Sequence, residues 1–264
     1  MPKNLKFLAF DTSTDAMSIA LGNGERVWQH SGPGGAKAST TLIPAILALL
    51  AEAGLALADL DAIAFGRGPG SFTGLRTACA VAQGLALGTG EGAGLPVLPI
   101  DTLMALAEEA RFQQARTTGD KPLRITALLD ARMDEMYVQR FDCSAAGCVA
   151  VDECLLVRPE NLALRLKDDS STLLAGNVFE VYADRLGDVL TGPAAHLHAL
   201  PAATAMLRLA PALAAAGQCV DAALALPLYV RDKVALTTEE RTQVRLDKES
   251  AALASLTAAA VKTD

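Results

Sequence analysis

The segment GRGPGSFTGLR, residues 66–76, has the composition of a loop that holds an anion. Three glycines within its first five positions would let backbone N–H groups approach a phosphate closely. An apolar run predicts a strand just before it, and residues 73–90 predict a helix after it, whose N-terminus favours negative charge. The segment lacks the Lys and the Ser or Thr that end a Walker phosphate loop. Weak anion binding at Gly68, Gly70 and Ser71 and a plain structural turn therefore both stay open.

Two acidic turns are the other candidates for chemistry. Asp11 begins the turn in FDTSTDAMSIA, and Asp130 begins the corresponding turn in LDARMDEMYVQ. Asp11 with Ser13 and Thr14 could orient magnesium and a phosphate. Asp130 could position water or a metal from the opposite side. Both turns lack a glycine that would let a phosphate approach, so the alternative is that Asp11 accepts backbone N–H groups at a tight turn. On that alternative, Asp11→Ala lowers stability more than activity.

Hydrophobic patterning predicts an α/β chain in which the order βββαβαβα occurs twice. The predicted elements of the first half are strands at 5–10, 16–21 and 26–30, a helix at 40–53, a strand at 60–65, a helix at 73–90, a strand at 97–100 and a helix that Asp101 caps and that reaches residue 115. Those of the second half are strands at 123–129, 135–141 and 148–157, a helix led by Pro159, a strand at 172–175 and helices at 178–186 and 201–216. The acidic motifs align at the end of the first strand of each half, which favours a duplication.

The polar stretch TTGDK, residues 117–121, predicts a boundary between two subdomains. We expect the first subdomain at residues 1–116 and the second at 122–235. Residues 236–264 are charged and then alanine-rich, which indicates a C-terminal extension that is helical or frayed.

Composition excludes several classes of protein. The 264 residues are 51% hydrophobic, which is typical of a globular protein. Their net charge of −7 is unfavourable for a surface that binds nucleic acid by itself. No apolar run approaches the roughly 18 residues of a membrane span, so we expect a cytoplasmic protein. The five cysteines include no CxxC pair, which predicts reduced thiols rather than disulfides or metal ligands. His196 and His198 are expected in a solvated loop.

The predicted helix at residues 73–90 is apolar or small nearly all the way round. One ridge of small residues, spaced four apart, begins at Ala78, and a second, on roughly the opposite side, begins at Ala80. One ridge should pack on the chain's own sheet, so the other needs cover, either within the domain or from a partner helix. Which ridge faces outward stays open.

Five motifs occur together in order: LAFDTSTDAMSIAL, AFGRGPGSFTGLR, AQGLALG, LLDARMDEMY and PLYVRDKVA, spanning residues 8–235. They resemble the bacterial TsaB family, also called YeaZ, of the actin-like ATPase superfamily. The resemblance implies a duplicated actin-like, ribonuclease H-like fold with two similar subdomains. It also implies a non-catalytic subunit, without a cofactor, that is required to form threonylcarbamoyladenosine beside the anticodon of tRNAs reading codons that start with A.

The same resemblance implies the partners. They are a TsaD-like paralogue, which transfers the threonylcarbamoyl group and which the family member activates, a TsaE-like ATPase, and a second copy of the chain when it is alone. Transfer RNA would be reached only through the complex, and no membrane is involved. Since family members pair through helices of the first domain, a partner interface is favoured over complete burial, with the candidate residues Ala78, Ala80, Ala82, Gly84, Ile46 and Leu50.

Three enzymatic alternatives compete with this scaffold role. A metal centre like that of TsaD needs paired histidines on the helix at 40–53, which contains none, and Ala38 stands where many relatives carry a histidine. The peptidase label attached to the family is disfavoured for the same reason, and no Ser, His and Asp arrangement stands out. An actin-like nucleotide-dependent enzyme, an ATPase or a kinase, stays as the alternative.

Overall fold

The first half of the chain folds in the predicted order. A computed structural model describes residues 4–89, 94–166, 173–192 and 194–231. The elements of the first half are β1 (Phe7–Asp11), β2 (Ala16–Gly22), β3 (Val27–Pro33), α1 (Ala38–Ala53), β4 (Ala62–Gly68), α2 (Phe72–Leu87), β5 (Val97–Asp101) and α3 (Thr102–Thr118). Helix α1 ends where predicted, because Gly54 takes a left-handed conformation with φ of 67°.

The second half repeats this order with shorter helices. Its elements are β6 (Leu123–Arg132), β7 (Glu135–Ser144), β8 (Gly147–Ala150), β9 (Leu155–Val157), α4 (Leu162–Leu166), β10 (Leu173–Gly176), α5 (Val178–Val181), α6 (Ala183–Leu186), α7 (Asp188–Thr191), β11 (His196–His198) and α8 (Ala203–Ala215). Pro159 begins a short 3-10 helix that leads into α4, as the sequence predicted.

The two sheets have the same topology, which confirms the duplication. The strand order is β3-β2-β1-β4-β5 in one sheet and β8-β7-β6-β10-β11 in the other. In each sheet the first two strands of the half, β1 and β2 or β6 and β7, are antiparallel. The first strand is parallel to its other neighbour, which is β4 in the first sheet and β10 in the second. The last strand is again parallel to its neighbour. Asp11 and Asp130 lie at equivalent places, near the ends of β1 and β6.

Helices separate and cover the sheets, because each sheet is apolar on both faces. Helices α1 and α2 pack on one face of the first sheet, around Phe10, Ile19 and Phe65. Helices α3 and α8 lie on its other face. Helix α3 also packs on the second sheet, whose far face is covered by α4–α7. Both sheets belong to one compact unit that ends at Val230.

A buried ion-pair network joins α3 to α8. The Glu108 carboxylate is almost completely buried and accepts hydrogen bonds from Arg111 Nε at 2.7 Å and from Arg208 Nε at 2.7 Å. Arg208 also donates to Glu109 at 2.7 Å. A buried carboxylate is tolerated when cations and hydrogen bonds satisfy it, so this network holds the two central helices in one register.

Two expectations from the sequence are wrong. Cys143 and Cys148 form a disulfide, because the β7–β8 turn places them directly opposite each other with their Cα atoms 4.1 Å apart. The other cysteines, Cys79, Cys154 and Cys219, are free thiols. His196 and His198 are exposed, as expected, but they lie in a strand, β11, which pairs in parallel with β10, and not in a loop.

The predicted boundary at residues 117–121 stays a prediction, as do the two subdomain ranges. Helix α3 extends to Thr118 and so includes the first part of this polar stretch. The predicted C-terminal extension, residues 236–264, lies outside the described residues.

Candidate functional site

The turn between β1 and β2 docks onto the loop that follows β4. The Ser71 N–H donates to the Ser13 carbonyl at 2.7 Å. The Thr12 hydroxyl donates to the Gly74 carbonyl at 2.7 Å, across 62 positions of sequence. Thr12 and Ser13 are both buried. Backbone groups at the start of α2 are therefore hydrogen-bonded to the chain's own β1–β2 turn.

The glycines of this loop make room for the turn. A Cβ atom on Gly66 would overlap the Asp11 carboxylate, and one on Gly74 would overlap the Thr12 carbonyl. A Cβ atom on Gly70 would lie 2.6 Å from the Ser13 Cβ. Glycine is required where two backbones approach this closely. The contacts favour the structural turn, and anion binding at Gly68, Gly70 and Ser71 stays a prediction that they do not support.

A later segment, residues 222–230, crosses this loop and α2. The Leu228 N–H donates to the Arg67 carbonyl at 2.7 Å, and the Ala225 carbonyl accepts from Gln83 Nε2 at 3.0 Å. The Tyr229 hydroxyl accepts from Arg76 Nε at 3.2 Å. Tyr229 of the late motif thus packs on the motif GSFTGLR. Residue patterns do not reveal this pairing, because 153 positions separate Arg76 from Tyr229.

Asp11 lies completely inside this junction. Its Oδ1 accepts hydrogen bonds from the Ser13 N–H at 2.8 Å and from the Ser13 hydroxyl at 2.6 Å. Its Oδ2 is buried. Burial raises the pKa of Asp11 to about 6, and the hydrogen bonds from Ser13, with a smaller effect of the Thr102 hydroxyl, oppose that rise. The geometry matches the tight-turn alternative, in which Asp11 accepts backbone N–H groups.

Asp130 is also fully engaged by its own half of the chain. Its Oδ1 accepts from the Tyr182 hydroxyl at 2.7 Å and from the Arg132 N–H at 2.9 Å. Its own N–H donates to Asn177 Oδ1 at 2.9 Å. Burial and the hydrogen bond to Asp130 raise the pKa of Tyr182 above its usual range, so the tyrosine keeps its proton. The carboxylate is held by protein donors instead of projecting toward a ligand.

An ion pair bridges the two acidic turns. Arg132 donates to the Asp15 carboxylate, so the β6–β7 turn reaches the β1–β2 turn. Thr14 is committed locally, since its hydroxyl donates to the Ala16 carbonyl at 3.1 Å. Asp134 pairs with Arg185 at 2.8 Å. Within residues 4–89, 94–166, 173–192 and 194–231, no group of three His, Cys, Asp or Glu residues is placed to hold a metal ion.

Helix α2 resolves the question of its two ridges. Ala78, Ala82 and Ala86 are completely buried against the sheet, whereas Ala80 and Gly84 are exposed. A Cβ atom added to Gly84 would meet nothing within 4 Å. The ridge that begins at Ala78 therefore faces inward, and the ridge that begins at Ala80 faces outward.

This placement corrects part of the predicted partner interface. Ala78, Ala82, Ile46 and Leu50 lie in the chain's own hydrophobic core, so their assignment to a partner surface is wrong. Apolar character alone does not distinguish the side of a helix that faces the core from the side that is exposed. Ala80 and Gly84 are accessible, and their role in an interface stays a prediction.

The exposed side of α1 and α2 carries large apolar side chains that the sequence analysis missed. Ile43 and Leu47 on α1 are 43% and 50% exposed, and Leu87 on α2 is 58% exposed. We define the α1–α2 face as Ile43, Leu47, Ala80, Gly84 and Leu87. Ile43 and Leu47 are spaced four residues apart, and each follows a buried residue, Leu42 or Ile46, by one position, which is about 100° around the helix. This spacing was the signal that could have identified them.

Comparisons with known proteins agree with this architecture. A family model described as "TsaD: tRNA N6-adenosine threonylcarbamoyltransferase" matches residues 34–238. The tRNA threonylcarbamoyladenosine biosynthesis protein TsaB of Escherichia coli (strain K12) is 34% identical over 242 residues, which cover 88% of this chain and 96% of that protein. The chain belongs to the TsaB family.

Other members of the TsaB family extend the match. The TsaB protein of Haemophilus influenzae is 36% identical over 88% of this chain and 96% of its own length. The solved structure of YeaZ from Pseudomonas aeruginosa superposes with a TM-score of 0.72 at 36% identity, covering 86% of this chain and all of that one. The actin-like fold with two similar halves, which the resemblance implied, is thereby confirmed. Among the helices of the described ranges, none is long and apolar enough to cross a membrane.

The docking of the turn predicts opposite effects for two glycines of α2. Gly74→Ala should lower the free energy of unfolding by about 3 kcal/mol or more, because its Cβ atom overlaps the Thr12 carbonyl. Gly84→Ala should raise that free energy by up to about 1 kcal/mol, since alanine favours a helix and the site is open. Urea unfolding of the two variants measures both changes. Equal effects would refute the close contact at Gly74.

The burial of Asp11 predicts a pH-dependent stability. The pKa of about 6 in the folded state lies above the ordinary value of 3.8, so the folded chain holds a proton that the unfolded chain loses within that window. The contribution of Asp11 to the free energy of unfolding should therefore fall as the pH rises from about 3.8 to 6. In Asp11→Asn this contribution is absent, and its stability relative to the original chain should increase by about 2 kcal/mol between pH 4.5 and 7.5. Urea titrations at the two pH values measure the increase, and parallel pH dependences would contradict it.

Proposed function

We propose that this chain is a non-catalytic subunit in the formation of threonylcarbamoyladenosine on tRNA. The names of its relatives, tRNA threonylcarbamoyladenosine biosynthesis protein TsaB, place those proteins in that pathway. Our proposal gives the chain the role of binding and activating a TsaD-like paralogue, with a TsaE-like ATPase joining the pair. Transfer RNA is then reached through the assembled complex.

The observation that carries the proposal is the α1–α2 face. Ile43, Leu47 and Leu87 expose large apolar surfaces on the outer side of the first subdomain. Ala80 and Gly84 of α2, which are also exposed, have no bulk that would keep a second helix away. Exposed apolar side chains that are grouped on neighbouring helices are typical of an interaction surface. A paralogue of the same fold presents helices that fit it, and a second copy of this chain would occupy it when the paralogue is missing.

The state of the acidic turns supports a non-catalytic role. Phosphoryl transfer needs carboxylates that reach a metal or water at the nucleotide. Here Asp11 is buried beneath the loop of residues 66–71, and Asp130 is held by Tyr182 and Arg132. The space that a phosphate would need beside the first turn is taken by contacts between Ser13, Gly70 and Ser71. No observation favours the kinase or ATPase alternative.

The face is tested by adding a large charge on each side of α2. Gly84→Arg should leave a folded chain that neither binds the TsaD-like paralogue nor supports tRNA modification, because the charge lies on the outward ridge. Ala78→Arg should unfold the chain, because that side chain is completely buried. Circular dichroism, analytical ultracentrifugation with the paralogue and a reconstituted modification assay measure these outcomes.

The matched control is Ala145→Arg, which adds the same charge at an exposed position in the β7–β8 turn. It should keep both folding and association. Normal association and activity of the Gly84→Arg variant would contradict the interface, and so would loss of association in the control.

The non-catalytic role predicts that the isolated chain does not hydrolyse ATP. Phosphate release should match that of a buffer blank over hours, and Asp130→Asn should not change it. Reconstitution with the paralogue, the ATPase and threonylcarbamoyl-adenylate should in contrast require the chain. ATP turnover by the chain alone that Asp130→Asn abolishes would overturn the scaffold role.

A further inference from the structure

The second sheet has an open edge at β9. Residues 155–157 pair antiparallel with residues 136–138 of β7 along one side of the strand. Within the described ranges, the other side of β9 has no partner strand. Alternate residues of an edge strand direct their N–H and C=O groups outward, where an extended peptide can pair with them.

A groove of about 440 Å³ runs beside this edge. Leu156 of β9 and Leu164 of α4 contribute apolar surface, and Leu164 is 61% exposed. Asn161 adds an amide that can donate and accept hydrogen bonds. The groove thus lies next to an open strand edge and has a mainly polar and charged lining with a smaller apolar part, which suits an extended peptide of mixed character.

The charges of the groove select the kind of peptide. Arg158 and Arg165 line it from the two ends of the short helical segment, and both are exposed. The neighbouring Arg185 forms salt bridges with both Glu160 and Asp134, whereas Arg158 acts on Glu160 only through a weaker electrostatic attraction. Two exposed guanidinium groups in one groove favour carboxylates, which they can bind in a bidentate manner.

We propose that the groove beside β9 binds an extended acidic segment of a partner protein. The segment adds a strand to the free edge of β9, places carboxylates against Arg158 and Arg165, and sets an apolar side chain against Leu156 and Leu164. An RNA backbone fits less well, because it carries no series of N–H and C=O groups at strand spacing that could pair with the edge of β9. The site lies in the second half of the chain and does not use the α1–α2 face, so it stands apart from the proposed function.

The test uses a fluorescein-labelled ten-residue peptide of alternating Glu and Val, titrated into the full chain and followed by fluorescence polarisation. Binding should saturate and weaken as salt is added. A peptide of the same composition with Pro at two central positions should bind at least tenfold more weakly, because Pro cannot donate a backbone hydrogen bond to the edge.

Two double variants separate the groove from general charge effects. Arg158→Glu with Arg165→Glu should weaken peptide binding at least tenfold. Arg116→Glu with Lys121→Glu makes the same change of charge at exposed positions outside the groove, and should alter binding less than threefold. Circular dichroism and thermal unfolding verify that both variants are folded.

Three outcomes would overturn the proposal: no saturable binding of the peptide, equal weakening by the two double variants, or equal affinity for the Pro-containing peptide. A labelled tRNA is titrated in parallel. Binding of tRNA that depends on Arg158 and Arg165, with no binding of the peptide, would assign the groove to RNA and refute the peptide site.

Discussion

The close contact between the β1–β2 turn and the glycine loop is the constraint on which the first half of the structure depends. Thr12 and Ser13 lie directly against Gly74 and Gly70, so close that neither glycine could be replaced by a residue with a side chain without a steric clash. Two hydrogen bonds, from Ser71 to Ser13 and from Thr12 to Gly74, fix the turn against the start of α2. Because the turn, β4 and α2 are locked together here, the position of α2 on the sheet, and with it the direction of each ridge, follows from this junction.

The same junction explains why a loop with the composition of an anion site is occupied by protein. A phosphate would need free backbone N–H groups and open space. The β1–β2 turn occupies the space and accepts a hydrogen bond from the loop. The burial that results leaves Asp11 with a raised pKa, so a carboxylate that could have served a ligand becomes a pH-sensitive part of the core. In the other half, the Asp130 carboxylate is also held within the protein, because it accepts hydrogen bonds from the Tyr182 hydroxyl and the Arg132 N–H.

Helix α2 links the fold to the proposed role. Its inward ridge of alanines permits close packing on the first sheet, and its outward ridge is equally small but has no cover within the described residues. The exposed Ile43 and Leu47 of α1 extend that outward surface. A duplicated fold that buries Asp11, bonds Asp130 to protein donors and exposes an apolar helical face has features that suit binding to another subunit better than turnover of a nucleotide.

The sequence by itself determined the order of the elements, the duplication and the family, because these depend on local periodicity, on turn residues and on motifs that stand in the chain. It also identified Ala80 and Gly84 as candidates for a partner surface and Asp11 as a turn carboxylate. Only the tertiary structure decided that Ala78 and Ile46 belong to the core, that Cys143 faces Cys148, and that Tyr229 packs beside Arg76. These outcomes depend on which distant backbones meet and in which register, and a periodic pattern reports only that a side is apolar. The direction of that side is set by the elements that pack against it.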